Sequence, residues 1–448
     1  MHSLKRWRMI LVSLCLAAVV LVACGGGGGG SSSSTVQTPK WTGTKQLGVS
    51  GAWTSATGVV VDRSGNVYVA GYTTGGLDGN TLTGNMDFFV TKYDSLGNKV
   101  RTKQLGVSGE NTVADGVAVD SNGNVYVAGY TTGGLDGNTL MGATDFFVTM
   151  YDSSGNRIRT KQLGVSGKYT SGLGVAVDSS GNVYVAGSTT GGLDSNTLTG
   201  GQDLFVTMYN SSGSKVRTKQ LGVSGAYADA MGVAVDSNGN VYVAGSTNGG
   251  LDSNTLTGTQ DLFVTMYDAS GNKVRTKQLG VSGAFTTAMG VAVDSNGNVY
   301  VAGSTNGGLD SNTLTGTQDL FVTMYDSSGN KLRTKQLGVT GKDTSALGVA
   351  VDSSRNVYVA GSTFGGLDSN TLTGTNDFFF TKYDSSGNKV RTKQHGVSGH
   401  ATGASGIAMD SSDNVYVTGN TDGGLDGNTL TGTNDFFIAK YDLSGNKQ

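Results

Sequence analysis

One unit of 58 residues recurs seven times along this chain, and this repetition limits the fold more than any other feature. The triplet Thr-Lys-Gln marks each unit, and no insertion or deletion breaks its spacing. The triplet begins at Thr44, Thr102, Thr160, Thr218, Thr276, Thr334 and Thr392. Fixed periods of this order are typical of solenoids and propellers, in which each unit buries its apolar face against its neighbours. The chain is therefore a single repeat array.

Each unit contains four segments with the composition of short β-strands. In the first copy these are strand A at 58–61, strand B at 67–70, strand C at 87–93 and strand D at 99–105. The segments are rich in Val, Tyr, Phe and Thr, whereas the connections are rich in Asp, Ser, Gly and Asn. Strand A is apolar on both faces, which predicts that it is the innermost strand.

The two ends of the array distinguish a closed ring from an open solenoid. The first element is a lone strand D at 41–47, and the last unit ends after strand C at Tyr441 with almost no strand D. The N-terminal strand can therefore complete the last unit, whereas a solenoid requires polar caps at both ends. The sequence predicts an all-β, seven-bladed β-propeller of four-stranded blades over residues 41–448, closed by its N-terminal strand.

The repeat is similar to a known family. The segment D-S-N-G-N-V-Y-V-A-G-S at 236–246, with the G-G-L-D and D-L-F-V-T-M-Y-D segments that follow it, resembles the SBBP family of bacterial β-propeller repeats. The resemblance covers nearly all of 41–448 and implies a seven-bladed propeller in a secreted or surface protein. The biochemical role of the family is largely undefined, so the resemblance supplies no catalytic residues.

The N-terminus has the pattern of a secretory signal. Lys5, Arg6 and Arg8 precede an apolar run at 9–22, which is too short to span a bilayer. A signal peptide over residues 1–23 is expected, and an uncleaved anchor or a signal without lipidation is the alternative.

The end of this apolar run suggests lipid attachment. Leu-Val-Ala-Cys at 21–24 resembles the lipobox of bacterial lipoproteins, which implies lipidation of Cys24. Residues 24–40 then form the lipidated cysteine and a flexible Gly/Ser tether. Gly25 stands where Asp would retain a lipoprotein at the inner membrane of a Gram-negative cell. This resemblance implies an outer membrane lipoprotein that faces the periplasm or the cell surface.

Composition excludes several classes of function. The net charge is −2, so nucleic acid is not an expected partner, and two cysteines exclude a disulfide scaffold or a Cys-based zinc site. No G-x-S-x-G, H-E-x-x-H or P-loop signature occurs. We therefore expect a monomeric protein that is not an enzyme and has no cofactor.

Two alternatives depend on aspartate. Asp78, Asn80 and Asp87 have a spacing that suits calcium, so a structural Ca²⁺ site is the alternative to plain turn chemistry. Most Asp residues recur at fixed places in every repeat, which indicates a structural role. A polysaccharide-acting enzyme with Asp catalysis would need carboxylates outside that pattern. The candidates are Asp115, Asp229, Asp343, Asp413 and Asp422.

The strongest functional signal is local variation among the repeats. Residues 218–268 differ from residues 276–326 at only three adjacent positions, all in the loop from strand D to the next strand A. In a propeller this D–A loop shares a face with the B–C loop, near the mouth of the central channel. Across the repeats, the candidate ligand-binding residues are Trp53, Glu110, Lys168, Tyr169, Tyr227, Phe285, Lys342, Asp343 and His400.

This variation has two interpretations. Neutral drift in a loop with few packing contacts would produce it, but enrichment in aromatic and charged residues favours a binding surface for a protein or glycan. We expect a tethered binding or scaffolding module for an envelope polymer or protein. A purely structural spacer remains the alternative.

Overall fold

The computed structural model describes residues 40–448, which form seven antiparallel sheets of four strands. In six sheets the strand order follows the chain, and in the seventh the N-terminal strand pairs with the last strand. The predicted signal peptide at 1–23, Cys24 and the tether up to residue 39 lie outside the described residues. Within residues 40–448, no helix is long and apolar enough to cross a membrane.

The first three blades follow a lone N-terminal strand. That strand is β1 (Lys45–Leu47). Blade 1 contains β2 (Thr54–Val61), β3 (Val67–Thr73), β4 (Asp87–Tyr93) and β5 (Lys99–Leu105). Blade 2 contains β6 (Thr112–Val119), β7 (Val125–Thr131), β8 (Asp145–Tyr151) and β9 (Arg157–Leu163). Blade 3 contains β10 (Thr170–Val177), β11 (Val183–Thr189), β12 (Asp203–Tyr209) and β13 (Lys215–Leu221).

The next three blades repeat this arrangement. Blade 4 contains β14 (Ala228–Val235), β15 (Val241–Thr247), β16 (Asp261–Tyr267) and β17 (Lys273–Leu279). Blade 5 contains β18 (Thr286–Val293), β19 (Val299–Thr305), β20 (Asp319–Tyr325) and β21 (Lys331–Leu337). Blade 6 contains β22 (Thr344–Val351), β23 (Val357–Thr363), β24 (Asp377–Tyr383) and β25 (Lys389–His395).

Blade 7 contains β26 (Thr402–Met409), β27 (Val415–Thr421) and β28 (Asp435–Tyr441), and β1 is its outer strand. Each B–C loop also contains one 3₁₀ turn. These turns are Leu77–Gly79, Leu135–Gly137, Leu193–Ser195, Leu251–Ser253, Leu309–Ser311, Leu367–Ser369 and Leu425–Gly427. The predicted seven-bladed fold is confirmed, together with its closure by the N-terminal strand.

Two of the predicted strands are longer in the structure. Strands C and D of the first repeat have the predicted bounds, but strand A begins at Thr54 and strand B ends at Thr73. Thr54 and Thr73 are opposite each other, and their buried hydroxyls are 3.1 Å apart. The additional residues were missed because their small and polar side chains do not follow a strand pattern, and tertiary contacts stabilise the strand there.

The seven strands A form the inner wall of the ring. Each contacts the strands A of both neighbouring blades, and a glycine present in every repeat lies at this contact. A Cβ on Gly58 would lie 3.3 Å from Val117 of blade 2, and one on Gly406 would lie 3.3 Å from the Cα of Gly58. These contacts confirm that strand A is innermost and show that blade 7 meets blade 1.

The hydrophobic core lies between the blades. Tyr68 and Phe88 of blade 1 pack against Val127, Leu135 and Phe147 of blade 2, all of them buried. The rings of Phe88 and Phe147 are stacked, with centroids 5.1 Å apart. Because each blade shares its core with the next, no blade buries its apolar surface alone.

The outer strand of blade 7 is assembled from both chain ends. Its N-terminal part is β1, and Lys447 near the C-terminus forms a bridge with Tyr441. The carboxylate of Asp426 joins the two ends, because it accepts hydrogen bonds from Thr44 and Lys447. Burial opposes its ionisation, but hydrogen bonds from His395, Lys447 and Thr44 hold the pKa of Asp426 well below its usual range.

Candidate functional site

The D–A loops lie against the B–C loops of the preceding blade. The residue just before each strand A, here called the tip position, forms a parallel bridge with a B–C loop. The seven bridges are Trp53 to Asn434, Asn111 to Met86, Tyr169 to Thr144, Tyr227 to Gln202, Phe285 to Gln260, Asp343 to Gln318 and Ala401 to Asn376. Both sets of loops therefore share one face at the ends of the innermost strands, which we call the loop face.

Four tip positions carry exposed aromatic side chains. Trp53 is 42% exposed, Tyr169 62%, Tyr227 53% and Phe285 41%. Tyr169, Tyr227 and Phe285 occupy three consecutive blades. A single exposed apolar residue is ordinary, but a row of them on one face is typical of an interaction surface.

The backbone that carries these aromatic residues is held on both sides. The N–H of Trp53 donates to Oγ1 of Thr74 at 2.9 Å, and its carbonyl accepts from the N–H of Thr74 at 2.9 Å. In blades 4 and 5 an asparagine takes the place of Thr74. Asn248 accepts from the N–H of Tyr227 at 2.6 Å. A fixed backbone lowers the ordering cost of binding through these rings.

Sequence analysis missed one aromatic residue of this face. Phe364 in blade 6 is exposed, and its N–H donates to the carbonyl of Asp343 at 3.0 Å. Asp343 occupies the tip position of blade 6 and accepts a hydrogen bond from the hydroxyl of Thr317. The other six repeats have Thr, Asn or Asp where Phe364 stands, so its departure from the repeat was the available signal. Four consecutive blades, 3 to 6, therefore present an exposed aromatic ring.

The residue before the tip position supplies the charged groups. Lys168, Lys342 and His400 are exposed. Glu110 is partly buried and accepts a hydrogen bond from Thr132 at 2.7 Å. Nδ1 of His400 lies 3.3 Å from the carboxylate of Asp422.

Ala occupies the same position in the other three repeats and is buried. These side chains pack on the first glycine of the G-G-L-D segment. A Cβ on Gly191, for example, would lie 2.9 Å from Cγ of Lys168. This close approach explains why glycine is repeated beside a variable residue.

The residues of the calcium alternative have other partners. Asp78 pairs with Lys99 of strand D, and Nδ2 of Asn80 donates to the carbonyl of Leu77 at 2.8 Å. Asp87 is fully buried and accepts from the N–H groups of Thr83 and Gly84 and from Gln104, all at 2.8–3.0 Å.

Asp78 and Asp87 therefore use carboxylate oxygens for protein partners, whereas the hydrogen bond of Asn80 uses its nitrogen and not the oxygen that Ca²⁺ would need. The calcium alternative stays a prediction. Within residues 40–448, no three His, Cys, Asp or Glu side chains are grouped to hold a metal ion.

The Asp residues that depart from the repeat have separate environments. Asp413 lies in the A–B turn of blade 7 and accepts from the hydroxyl of Ser353 at 3.0 Å. Asp229 in β14 accepts hydrogen bonds from Gln202 and Ser188, which partly offset the effect of burial, and the pKa of Asp229 is raised. Asp115 in β6 differs, because its Oδ2 is shielded from solvent and has no hydrogen-bond partner.

The closed ring of seven sheets and the shared loop face define a seven-bladed β-propeller whose strand ends carry the variable side chains. The SBBP β-propeller repeat model matches seven times, at residues 43–78, 100–136, 158–194, 216–252, 274–310, 333–368 and 391–426. The chain belongs to the SBBP β-propeller repeat family.

Similarity to individual proteins is weaker. The chain is 31% identical over 173 residues to the regulatory protein FlaEY of Caulobacter vibrioides. This match covers 34% of the chain but only 18% of that relative. Two solved structures match over most of the chain. The WD40 domain of Doa1 is 11% identical with a TM-score of 0.49, and the match covers 89% of this chain and 97% of that chain. A chain of the mitotic checkpoint complex is 14% identical with a TM-score of 0.48, covering 94% and 98%.

Proposed function

We propose that this propeller is a binding or scaffolding module, and not an enzyme, that holds an envelope polymer or protein on its loop face. The observation that carries the proposal is the row of exposed rings on blades 3 to 6, with Trp53 on blade 1. We call this set the aromatic surface. It consists of Trp53, Tyr169, Tyr227, Phe285 and Phe364.

The chemistry of the aromatic surface suits a sugar polymer or a peptide. Aromatic rings stack on the apolar faces of sugars and anchor protein side chains, and they lose little conformational freedom on binding. Lys168 and Lys342 are exposed on the same face and would supply polar contacts. The partial similarity to a regulatory protein is compatible with a binding role, and it does not indicate the partner.

Replacement of all five residues of the aromatic surface by Ala should abolish binding and leave the fold intact. The side chains are exposed, so each change should alter the free energy of unfolding by less than about 0.5 kcal/mol. Loss of the aromatic contacts should weaken binding at least about 100-fold, because aromatic anchors usually dominate such surfaces. Capture of envelope extracts and glycan arrays by the purified protein measures binding, and thermal unfolding measures the fold.

A matched control removes exposed apolar groups from another part of the molecule. Strand D carries an exposed aliphatic residue at its second position in blades 1 to 6. The control variant changes Val100, Val216, Val274, Val390 and Leu332 to Ala. It should retain capture. The proposal would be contradicted if both variants lost capture equally, or if the aromatic changes did not affect capture. Absence of capture by the unaltered protein would favour a structural spacer.

We also propose that lipidation of Cys24 holds the propeller at the outer membrane, on the periplasmic or outer side. The support is the charged and apolar N-terminal segment followed by Leu-Val-Ala-Cys. Cys24→Ala should move the protein from the membrane fraction to the soluble fraction after signal cleavage. Fractionation with an antibody against the propeller checks this, and a Cys15→Ala variant is the control that should stay with the membrane.

A further inference from the structure

Each strand A contains a β-bulge, and the type of residue in this bulge differs between two groups of neighbouring blades. The pairing register shifts at this residue in every blade, between Ala114 and Gly116 in blade 2 for example, and a bulge turns one side chain out of the ladder. The seven bulge residues are Thr57, Asp115, Leu173, Met231, Met289, Leu347 and Ser405. Blades 3 to 6 are apolar at this position, and blades 7, 1 and 2 are polar.

The surroundings of the bulge are suited to a donor. In blade 1 the one proton of the Thr57 hydroxyl lies between two carbonyl acceptors, Ala70 of its own blade at 3.2 Å and Ala114 of the next blade at 2.9 Å. An ionised carboxylate can only accept hydrogen bonds. Oδ2 of Asp115, at the same position in blade 2, has no protein donor and no access to bulk solvent.

Two tyrosines accompany Asp115 and also break the repeat. Tyr72 in β3 and Tyr130 in β7 are partly buried, whereas blades 3 to 6 carry serine at this place. Tyr130 is directly opposite Val113, two residues before Asp115. The pKa of Tyr130 is raised by burial and then by the nearby charges of Asp115 and Tyr72. The three side chains therefore form a cluster, and no positively charged residue contributes to the pKa of Asp115 or Tyr130.

We propose that Asp115, Tyr72 and Tyr130 form a binding site on the inner wall for an organic cation with N–H donors, such as an ammonium or guanidinium group of a peptide side chain. A cation of this type would donate to the carboxylate of Asp115, which is partly exposed as a residue, and the tyrosine rings or hydroxyls would contact its remaining surface. The site is separate from the aromatic surface, so it does not depend on the proposed function of that surface.

Binding of such a cation requires an ionised Asp115, which makes affinity depend on pH. Burial raises the pKa of Asp115 to about 7, and no charged neighbour contributes to this shift. The fraction of ionised Asp115 falls roughly thirtyfold between pH 8.5 and pH 5.5, and the affinity should fall by the same factor. Burial raises the pKa of Tyr130, so Tyr130 stays protonated over this range.

Calorimetric titration of the purified protein with n-butylammonium and n-butylguanidinium tests the site. The unaltered protein should bind at least one of them at pH 8.5 and roughly thirty times more weakly at pH 5.5. Asp115→Thr installs the residue of blade 1. Its affinity for the cations should be at least tenfold weaker at pH 8.5 and should no longer depend on pH. Tyr72→Ser with Tyr130→Ser should weaken binding but keep the pH dependence.

Asp229→Thr is the matched control, because it removes an aspartate that already has donors and installs the residue of blade 5. It should bind both cations as the unaltered protein does. Equal affinity in the Asp115→Thr variant, affinity independent of pH, or no binding of either cation by the unaltered protein would overturn the site. A fivefold alanine variant of the aromatic surface should still bind these cations, so failure of one proposal is distinguishable from failure of the other.

Discussion

Trp41→Ala should lower the free energy of unfolding by about 3–5 kcal/mol, the usual cost of removing a large buried aromatic side chain. Trp41 is only 3% exposed and lies where blade 7 meets blade 1. Its ring is 6.1 Å from that of Tyr93 in blade 1 and 5.6 Å from that of Tyr416 in blade 7. Loss of the ring opens a cavity beside blade 7, whose strands β1 and β28 pair although they come from opposite ends of the chain.

The position of Trp41 explains why the loss of stability should be confined to blade 7, where the ring closes. In the other repeats the equivalent residue is Lys or Arg, as at Lys99, and it pairs with the Asp of its own B–C loop. In blade 7 that ion pair is made by Lys447 from the C-terminal end. Trp41 is therefore free to fill the space between two blades, and it anchors the short strand β1 beside β28.

Urea unfolding of Trp41→Ala and Trp53→Ala provides the comparison. Both variants lose one tryptophan, but Trp53 is largely exposed, and its loss should cost less than about 0.5 kcal/mol. Similar costs for the two variants would mean that Trp41 does not hold the ring closed.

Asp115→Thr should stabilise the protein, and its advantage should grow by about 2–3 kcal/mol between pH 5 and pH 8. Burial raises the pKa of Asp115 to about 7 in the folded protein, well above the value near 4 of an unfolded chain. Between these values the folded state holds more protons than the unfolded state, so stability falls as pH rises. The fall begins near the unfolded pKa and is complete once pH exceeds the folded pKa.

Threonine at this position removes the carboxylate and restores a donor. The hydroxyl of Thr57 lies between two carbonyl acceptors in blade 1, and the same contacts should be available in blade 2. Urea unfolding at pH 5, 6, 7 and 8 gives, for each protein, the slope of the free energy of unfolding against pH. Parallel slopes for the unaltered protein and Asp115→Thr would contradict the prediction. Asp229→Thr should show a smaller change in slope, because Gln202 and Ser188 already stabilise that carboxylate.

Much of the fold was predictable because the seven repeats can be aligned with one another. Strands C and D of the first repeat have their predicted bounds, since strand C concentrates Phe, Val and Tyr, strand D alternates cationic with uncharged residues, and turn residues flank both. Strand A was predicted four residues too short at its start, where Thr54, Ser55 and Thr57 interrupt the apolar pattern. The lone N-terminal strand was predicted from Trp41, but only Lys45–Leu47 is paired. Trp41 instead packs between Tyr93 and Tyr416, and a strand pattern does not predict such a contact.

The candidate site was predicted in part. The aromatic residues at 53, 169, 227 and 285 do occupy one position on a shared loop face, because the repeat length places them at equivalent points. Phe364 was missed because it lies in the B–C loop, whereas the residue variation that predicted the site lies in the D–A loop. The calcium alternative at Asp78, Asn80 and Asp87 stays a prediction, and the structure shows that Asp78 and Asp87 already have partners in strand D and the loop amides.

By itself, the sequence determined the number of blades, the order of strands within each blade and the offset that closes the ring. These follow from a constant repeat length and from apolar patterns, which are local properties of the chain. Only the tertiary structure decided which departures from the repeat meet. Thr44 and Asp426 touch although 382 residues separate them, and Tyr72 and Tyr130 gather beside Asp115 from neighbouring blades. Contacts between blades depend on the curvature of the ring and on side-chain packing, and neither is encoded in the spacing of residues along the chain.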